Sequence, residues 1–308
     1  MANVLDSLDS ATIVIVGASS GFGRGAAIEL GRQGANVVVA ARRTDLLDEV
    51  VEEIRGAGGS ALAVTVDVSS PDDIARLHQE AVERFGRIDV WINNVGVGAL
   101  GLFWEIPIEV HSRLVDVNLK GLLYGAHAAL NDFVRQGAGT LVNVASIDSE
   151  VPLALQNTYA ATKAAVLSLT RTLNQELRLS GHHDTVKVAA VMPWAIDTPW
   201  WDHAANYTGH TPRMAAMDDP EIVVEAIVEA CLHPQEEMPV GPKARASDLS
   251  HHLLPDLTER LSANIADRER AKGAKTPLTT GTLFEPMETG RTIDGGVRAR
   301  MEQEDDRR

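Results

Sequence analysis

Residues 12–23 read Thr12-Ile-Val-Ile-Val-Gly-Ala-Ser-Ser-Gly-Phe-Gly23, and a helical pattern follows them to Gln33. The first five residues are all β-branched, and four of them are apolar, with Thr12 the one polar residue. Such a run is typical of a strand buried in a parallel sheet. Glycines in the turn allow a ligand to approach the backbone, and a helix start favours negative charge. The stretch therefore predicts a phosphate-binding turn. Its spacing, G-x-x-x-G-x-G, differs from the commoner G-x-G-x-x-G, so a plain strand-to-helix turn stays open as the alternative.

Short apolar runs alternate with helical patterns along the first two thirds of the chain. Further strands are predicted at Asn36–Ala41, Ala61–Val66, Ile88–Ile92, Thr140–Ala145 and Val186–Val191. This alternation predicts an α/β fold, namely a Rossmann-type doubly wound parallel sheet with helices on both faces. Such sheets bind ligands at the carboxyl ends of their strands, and the polar motifs of this chain follow those ends.

The alternation stops before the C-terminal region. We expect one catalytic domain over residues 8–246, with a last edge strand at Glu237–Gly241, and an extension over residues 247–308. The extension is predicted to contain one amphipathic helix, Leu249–Arg270, and an extended or partly disordered tail in which Leu283–Met287 docks. Residues 200–219 are aromatic and lack periodicity, which predicts an active-site lid or, alternatively, a surface excursion.

The second predicted strand ends in Arg42 and Arg43, where an acidic residue would select NAD by binding the adenosine ribose. An arginine fork pairs instead with a 2′-phosphate, so NADP is favoured and Arg42, nearer the strand end, is the stronger candidate. The alternative is a solvated arginine at a helix start. Asp67 ends the third strand, where it either accepts from the adenine amino group or caps the next turn.

Tyr159 and Lys163 lie four residues apart in a stretch with a helical pattern, so they share one helix face. A cation beside a phenol favours the phenolate, which predicts a lowered Tyr159 pKa. Ser146 closes a predicted strand and is placed to donate to a substrate oxygen. Alone, the Tyr-x-x-x-Lys pair could be accidental. Asn118 interrupts a long predicted helix, Pro107–Arg135, and is expected to hold a water or distort the helix.

Composition and charge disfavour several classes of function. The formal net charge of −15 disfavours nucleic-acid binding, and 44% hydrophobic residues suffice for a sizeable core. The single cysteine, Cys231, cannot form a disulfide within the chain and suits a reducing compartment. We expect a cytoplasmic protein without stable membrane insertion, because the chain has no signal-peptide pattern and no membrane-length apolar run. The histidine pairs lack ligand spacing, so we predict no metal.

Taken together, the ordered motifs resemble the classical short-chain dehydrogenase/reductase family over about residues 10–200. The matching residues are Gly17, Gly21, Gly23, Asp67, the run Asn93-Asn94-Val95-Gly96, Asn118, Ser146, Tyr159, Lys163, Pro193 and Thr198. The resemblance implies that Tyr159 is the general acid/base, that Lys163 lowers the Tyr159 pKa and holds the nicotinamide ribose, and that Ser146 polarises the substrate carbonyl. It also implies a water anchored by Asn118.

The cofactor contacts that we expect are Gly17, Ser19, Ser20, Gly21, Phe22, Gly23, Arg42, Arg43, Asp67, Val68, Asn93, Asn94, Gly96, Tyr159, Lys163, Pro193, Ile196 and Thr198. Two residues depart from the family pattern. Val95 replaces the usual alanine, and Trp194 stands where a glycine usually follows Pro193. The expected substrate contacts are Ser146, Tyr159, Trp194, Trp200 and Trp201, which favour an apolar substrate.

The expected function is an NADP(H)-dependent oxidoreductase that interconverts a ketone or aldehyde with an alcohol, with NAD as the second cofactor choice. The resemblance further implies a homodimer or homotetramer. The alternative function is an NAD(P)-binding scaffold or sensor with little catalytic activity. The intact set of Asn118, Ser146, Tyr159 and Lys163 argues against it, because a pure binder has no need of all four.

Overall fold

Seven parallel strands form the central sheet of the computed structural model, which describes residues 5–306. Their order is β3-β2-β1-β4-β6-β7-β9, and a short second sheet pairs β5 with β8. The strands are β1 Thr12–Val16, β2 Asn36–Ala41, β3 Ser60–Thr65, β4 Val90–Asn93, β5 Ala99–Leu100, β6 Gly139–Val144, β7 Val186–Pro193, β8 Ala205–Asn206 and β9 Glu237–Val240. The predicted doubly wound sheet is confirmed, and β9 is an edge strand paired only with β7.

Helices cover both faces of this sheet. They are α1 Gly21–Arg32, α2 Thr44–Gly56, α3 Pro71–Phe85, α4 Ile108–Val115, α5 Gly121–Gln136, α6 Asn157–Leu179, α7 Trp200–His203, α8 Glu221–Leu232, α9 Gly241–Leu253, α10 Pro255–Lys272 and α11 Val297–Asp306. No helix within residues 5–306 is long and apolar enough to cross a membrane.

The core lies in two layers, one on each face of the sheet. On one face, α1, α2 and α8 bury Leu30, Leu47 and Ile227 against side chains of β1 and β2. On the other, α3 and α5 bury Leu77 and Phe133. All five residues of β1 are buried, as expected for a central strand covered on both sides. Because β1 lies between β2 and β4, the chain reverses its winding direction there, and a crevice opens at the carboxyl ends.

Two predicted helices are interrupted. Between α4 and α5, residues Asp116–Lys120 form a π-helical turn that contains Asn118, so the predicted continuous helix over Pro107–Arg135 has the local distortion expected at that residue. The single helix predicted over Leu249–Arg270 is wrong: α9 ends at Leu253 and α10 begins at Pro255. Proline has no N–H to continue a helix and disfavours helical geometry in the preceding residue, and Leu254 accordingly has φ −141° and ψ 65°.

The C-terminal region packs back onto the domain. Residues 279–296, here named the strap, have no helix or long strand, and α11 follows them. The Arg213 side chain anchors α11 through ion pairs with Glu304 and, at 2.8 Å, Asp305. Asp197 accepts from the N–H groups of Val297 and Arg298 at the start of α11. The tail predicted as extended or partly disordered is thus irregular along the strap but closes with a helix.

Candidate active site

A cleft opens at the carboxyl ends of the central strands, and the glycine-rich turn forms part of its wall. Gly17 has φ +100°, and a Cβ on Gly23 would lie 2.2 Å from the Gly17 carbonyl oxygen. The Asn94 side-chain amide donates to the same carbonyl over 2.7 Å. The turn therefore requires glycine at these two positions and is held against the end of β4. The cleft is lined by all six predicted turn residues, Gly17, Ser19, Ser20, Gly21, Phe22 and Gly23.

The strap binds both arginines at the end of β2. Arg42 Nη2 donates to the Thr282 carbonyl over 2.5 Å, and Nη1 donates to the Phe284 carbonyl over 3.3 Å. Arg43 reaches three further strap carbonyls with Nη1 at 3.2–3.3 Å. Burial lowers the pKa of both arginines from its usual value. Both guanidinium groups line the cleft, as predicted, but the strap supplies their hydrogen-bond acceptors in this structure.

The strap also reaches the phosphate-binding turn itself. The Gly21 N–H donates to the Thr292 carbonyl over 2.9 Å. Arg43 Nη2 donates to the Ser19 and Ser20 hydroxyls, at 3.1 and 2.8 Å. The turn, the arginines and the strap therefore form one hydrogen-bonded unit. The Thr282, Pro286 and Met287 side chains of the strap add to the cleft wall. Within Leu283–Met287, the segment predicted to dock, Leu283 is buried at 1% exposure, whereas Phe284 is 42% exposed.

Asp67 and Val68 line the cleft near Arg42, at the predicted adenine end. The Asp67 carboxylate accepts from both the N–H and the hydroxyl of Ser69 and pairs with Arg113 Nη2 at 2.7 Å. Burial raises the Asp67 pKa, but the Ser69 hydrogen bonds and Arg113 outweigh it, so the net pKa is lowered. Sequence analysis missed Arg113, since a single arginine on an amphipathic helix carries no motif. Its Nε also donates to the strap at the Leu283 carbonyl.

The predicted cofactor contacts at the end of β4 have two different roles in the structure. Asn94 and Gly96 line the cleft, but Asn93 does not, which differs from the prediction. The buried Asn93 amide accepts from Trp91 Nε1 and donates to the Asn143 side chain. It therefore ties β4 to β6 inside the core. At Gly96 a Cβ would lie 3.3 Å from Lys163 Nζ, so the glycine leaves room for that side chain.

Tyr159, Lys163 and Ser146 meet in the cleft wall. Tyr159 and Lys163 lie one turn apart on α6, with Lys163 Nζ 5.8 Å from the centre of the Tyr159 ring. Ser146 follows the end of β6 and lines the cleft with Tyr159, where its hydroxyl acts to lower the Tyr159 pKa. Lys163 is 2% exposed and donates through Nζ to the Val144 carbonyl over 2.7 Å. The sheet and α6 thus bring together three groups that the sequence separates by up to 17 positions.

The predicted lowering of the Tyr159 pKa is contradicted. Burial raises it above its usual value of about 10, the charge of Asp148 raises it further, and the Ser146 hydrogen bond only partly offsets them. Burial also lowers the pKa of Lys163 to about 8, although Asp148 acts in the opposite direction. Desolvation therefore outweighs the cation–phenol attraction on which the prediction relied. At neutral pH Tyr159 is a protonated phenol.

Asn118 uses its amide to hold a loop of the site. Its Oδ1 accepts from the Val97 N–H and its Nδ2 donates to the Val97 carbonyl, both at 2.9 Å. Nδ2 also lies 3.2 Å from the hydroxyl of Thr162 on α6. These contacts explain why a buried asparagine is tolerated in the π-helical turn. They connect the π-helical turn and α6 to the segment that follows β4.

The loop after β7 forms the other end of the cleft. Pro193, Trp194, Ile196, Thr198, Trp200 and Trp201 all line it. The Trp200 ring lies 5.1 Å from the Tyr159 ring, between centroids, and 5.1 Å from Trp201 in an edge-to-face arrangement. Trp201 is buried and donates through Nε1 to the Ile196 carbonyl over 2.9 Å, which fixes the loop. Trp194 Nε1 is enclosed and has no hydrogen-bond partner within residues 5–306.

Asp148 is a second cleft residue that sequence analysis missed. It lies in the short 3₁₀ turn Ile147–Ser149, and its N–H donates to the Ser146 hydroxyl over 3.1 Å. The residue is 9% exposed. Burial raises the pKa of this carboxyl to about 7 against the attraction of Lys163. The nearby Ser146 could have drawn attention to it, but an aspartate in a polar run is more often a turn former.

Comparison with known proteins adds a family match. The family described as short chain dehydrogenase matches residues 11–207. An uncharacterized oxidoreductase of Bacillus subtilis, YxnA, is 34% identical over 303 residues, covering 96% of this chain and 85% of its own length. An uncharacterized oxidoreductase of Staphylococcus aureus is 33% identical over 222 residues, covering 72% of this chain and 91% of its own. The B. subtilis match thus takes in most of the C-terminal region.

Two solved structures share the fold. A short-chain dehydrogenase/reductase from Burkholderia phymatum, in complex with NAD, superposes with a TM-score of 0.73 at 27% identity, covering 82% of this chain and 96% of that one. An alcohol dehydrogenase from the archaeon Thermococcus sibiricus, complexed with 5-hydroxy-NADP, gives a TM-score of 0.62 at 27% identity, with coverages of 71% and 89%. One similar structure therefore holds NAD and the other an NADP derivative.

Proposed function

The chain belongs to the short-chain dehydrogenase/reductase family of NAD(P)-binding oxidoreductases, and we propose that it interconverts a ketone or aldehyde with an alcohol using NADP(H). The observation that carries this proposal is the juxtaposition of Ser146 and Tyr159 in the wall of a cleft that begins at a phosphate-binding turn. It joins a proton donor to a second hydroxyl that can bind the same substrate oxygen.

The cleft fits a dinucleotide. Gly23 has no space for a Cβ beside the Gly17 carbonyl, so glycine keeps the turn packed against the start of α1. The dipole of α1 favours the charge of a phosphate that displaces the strap from the Gly21 N–H. The residues that would hold the two ends are Arg42, Arg43, Asp67 and Val68 at the adenosine, and Lys163, Pro193, Ile196 and Thr198 at the nicotinamide. When bound, the nicotinamide donates or accepts a hydride.

The side chains of this chain supply the proton and the polarisation. In the direction of reduction, Tyr159 gives its phenolic proton to the carbonyl oxygen while Ser146 donates a hydrogen bond to the same oxygen. The raised Tyr159 pKa suits this direction, because the phenol is protonated at neutral pH. Lys163, held by the Val144 carbonyl, places a cation beside the phenolate that remains. Asn118 keeps the π-helical turn and α6 in register with the site.

NADP is the cofactor that the charges favour. Arg42 and Arg43 follow β2 directly, without an acidic residue that would bind free ribose hydroxyls. A phosphate dianion is a stronger acceptor than the strap carbonyls that these arginines now bind, so it would displace them.

The substrate is a small molecule with apolar character, in keeping with Trp194 and Trp200. Exposed Ile108 and Leu123 on α4 and α5 suit a homodimer or homotetramer, which light scattering would measure.

Replacing Tyr159 with phenylalanine tests the reaction directly. We expect the variant to bind NADPH within about twofold of wild type and to lose at least about 100-fold in kcat on a ketone that the wild type reduces. Thr158→Ser, on the same helix, is the matched control and should keep its activity. Near wild-type turnover by the Tyr159 variant would exclude the proposed mechanism. NADPH binding without oxidation by any ketone, aldehyde or quinone would favour the scaffold instead.

A further inference from the structure

Asp148 is the exception among the buried acidic side chains of the described chain. The other four each have partners. Asp89 pairs with Arg87 at 2.7 Å, Asp132 pairs with His78, Asp197 accepts from backbone N–H groups, and Glu269 pairs with Lys272. Within residues 5–306, the Asp148 carboxylate has neither an ion pair within 4.0 Å nor a hydrogen bond. An acidic group that is nine-tenths buried without a partner is costly to the fold.

The position of Asp148 gives this cost a functional meaning. Asp148 lines the cleft together with Ser146 and Tyr159. Its carboxylate oxygens have no hydrogen-bond partner within residues 5–306, yet they are not completely enclosed by protein. They therefore open onto the cleft. The 3₁₀ turn that carries Asp148 is fixed by the Ser146 hydroxyl and by the Ser149 hydroxyl, which donates to the Lys163 carbonyl over 2.9 Å. The carboxyl group is thus held beside the reacting groups by the same turn that positions Ser146.

The surrounding wall is largely apolar, with Gln156 and Ser262 as further polar residues of the cleft lining. Val151, Leu153, Trp200 and Met214 line this part of the cleft, and Trp194 contributes its ring. A ligand that fills such a pocket gains from apolar contact, and a few placed polar groups determine its orientation. Among the cleft-lining residues from Val144 to Ser262, the charged side chains are Asp148 and Lys163, and Lys163 already donates to the Val144 carbonyl. The partner of Asp148 must therefore come from the ligand.

We propose that Asp148 is a specificity-determining residue that receives a hydrogen-bond donor of the substrate, so that the preferred substrate is an apolar ketone with a hydroxyl or ammonium group. This inference rests on the proposed function. A hydroxyl and an ammonium share the required chemistry, a donor aimed at a carboxylate. They differ in whether the interaction needs the negative charge, which the test separates.

A matched set of substrates measures the preference. Cyclohexanones that carry a methyl, a hydroxyl or an ammonium group opposite the carbonyl have similar shape and differ in the donor. For the wild type we expect kcat/KM with at least one donor-bearing ketone to exceed that with the methyl ketone by at least about tenfold. Asp148→Leu should reverse the ratio, because the leucine packs on the methyl group and leaves the donor unpaired.

Asp148→Asn distinguishes the two donors. If the substrate donor is a hydroxyl, the amide oxygen still accepts it, and most of the preference survives. If it is an ammonium, loss of the charge removes most of the preference. Asp116→Asn, a partly exposed acid on the π-helical turn, is the matched control and should leave the ratio unchanged. Equal ratios in the wild type, Asp148→Leu and Asp148→Asn would overturn the inference.

Binding measurements keep this test separate from the proposed function. The alcohols that correspond to the three ketones can be titrated by calorimetry into the complex with NADP, without turnover. Weaker binding of the donor-bearing alcohol by Asp148→Leu, with the methyl alcohol unaffected or tighter, would support the contact even if no ketone is reduced. If the wild type reduces the methyl ketone and kcat/KM is no higher with the hydroxyl or ammonium ketone, the role of Asp148 is rejected. The proposed reaction is left intact by that result.

Discussion

Arg42 donates a 2.5 Å hydrogen bond to the carbonyl of Thr282, although the two residues lie 240 positions apart. Arg42, on which the prediction of a 2′-phosphate site rests, therefore also anchors the strap. A guanidinium fork binds a phosphate more strongly than it binds a carbonyl. Strap docking and NADP(H) binding are thus expected to compete at Arg42, and the predictions below follow from this relationship and from the chemistry of the cleft.

Arg42→Ala should weaken NADPH binding by about 10-fold to 100-fold, because it removes a charge-assisted contact with the 2′-phosphate. NADH binding should change by less than about threefold. Fluorescence titration of both cofactors measures the effect. Arg55→Ala, an exposed arginine on α2, is the control for loss of positive charge. A wild type that already prefers NADH would contradict the argument from the arginines.

Leu283→Ala should loosen the strap, since it removes a buried anchor at a cost of about 2–5 kcal/mol in local packing. Leu278→Ala is the matched control, because Leu278 is 61% exposed in the same region. Hydrogen exchange of residues 281–290 should rise only in the first variant. NADPH affinity should increase a few-fold as strap carbonyls release Arg42, with NADH less affected. Weaker NADPH binding would mean that the strap helps to hold the cofactor instead of competing with it.

The pH dependence of activity should follow the raised Tyr159 pKa. Reduction needs the protonated phenol, so its rate should hold through neutral pH and fall only in alkaline solution. Alcohol oxidation needs the deprotonated form and should rise with pH over the same range. Asp148→Asn removes a charge that raises the Tyr159 pKa, so both limbs should move to lower pH. Profiles of kcat/KM in the two directions measure this shift. A Tyr159 pKa that stays the same or rises in the variant would contradict the prediction.

Asp148→Asn should also change the pH dependence of stability. The folded pKa of Asp148, about 7, lies above its usual value of 3.8, so the unfolded chain loses its proton first as pH rises. The contribution of Asp148 to the free energy of unfolding is fully present below about pH 4 and is lost as the pH rises toward 7. The variant should therefore gain little in Tm at pH 4 and more at pH 8, by an amount equivalent to a few kcal/mol. Calorimetry at both pH values tests this, with Asp116→Asn as the control.

Local patterns were sufficient to predict the sheet and most of the cleft. The buried strand before Gly17, the glycines of the turn and the Tyr159–Lys163 spacing each depend on neighbouring residues, and parallel topology then brings strand ends together. The edge position of β9 followed from Pro239 in the same way. These features need no knowledge of contacts between distant parts of the chain.

The features that the sequence did not predict depend on such distant contacts or on burial. Three unpredicted contacts join segments that no motif connects: the hydrogen bond from Arg42 to the strap, the Asp67–Arg113 pair and the Asn93–Asn143 hydrogen bond. The Tyr159 pKa was predicted in the wrong direction because spacing places Lys163 near the phenol but says nothing of desolvation. The break at Pro255 was readable from the proline, but the leucine stripe on both sides of it suggested one continuous helix.

The order in which the chain is synthesised gives the strap one more consequence. Every cleft residue up to Thr198 leaves the ribosome more than 80 positions before Thr282, the first strap residue to reach Arg42. The nascent domain can therefore form its phosphate-binding turn while both arginines are still free. A cofactor molecule present in that interval meets an uncovered binding face, whereas one that arrives later meets a face that the chain has already covered with its own backbone.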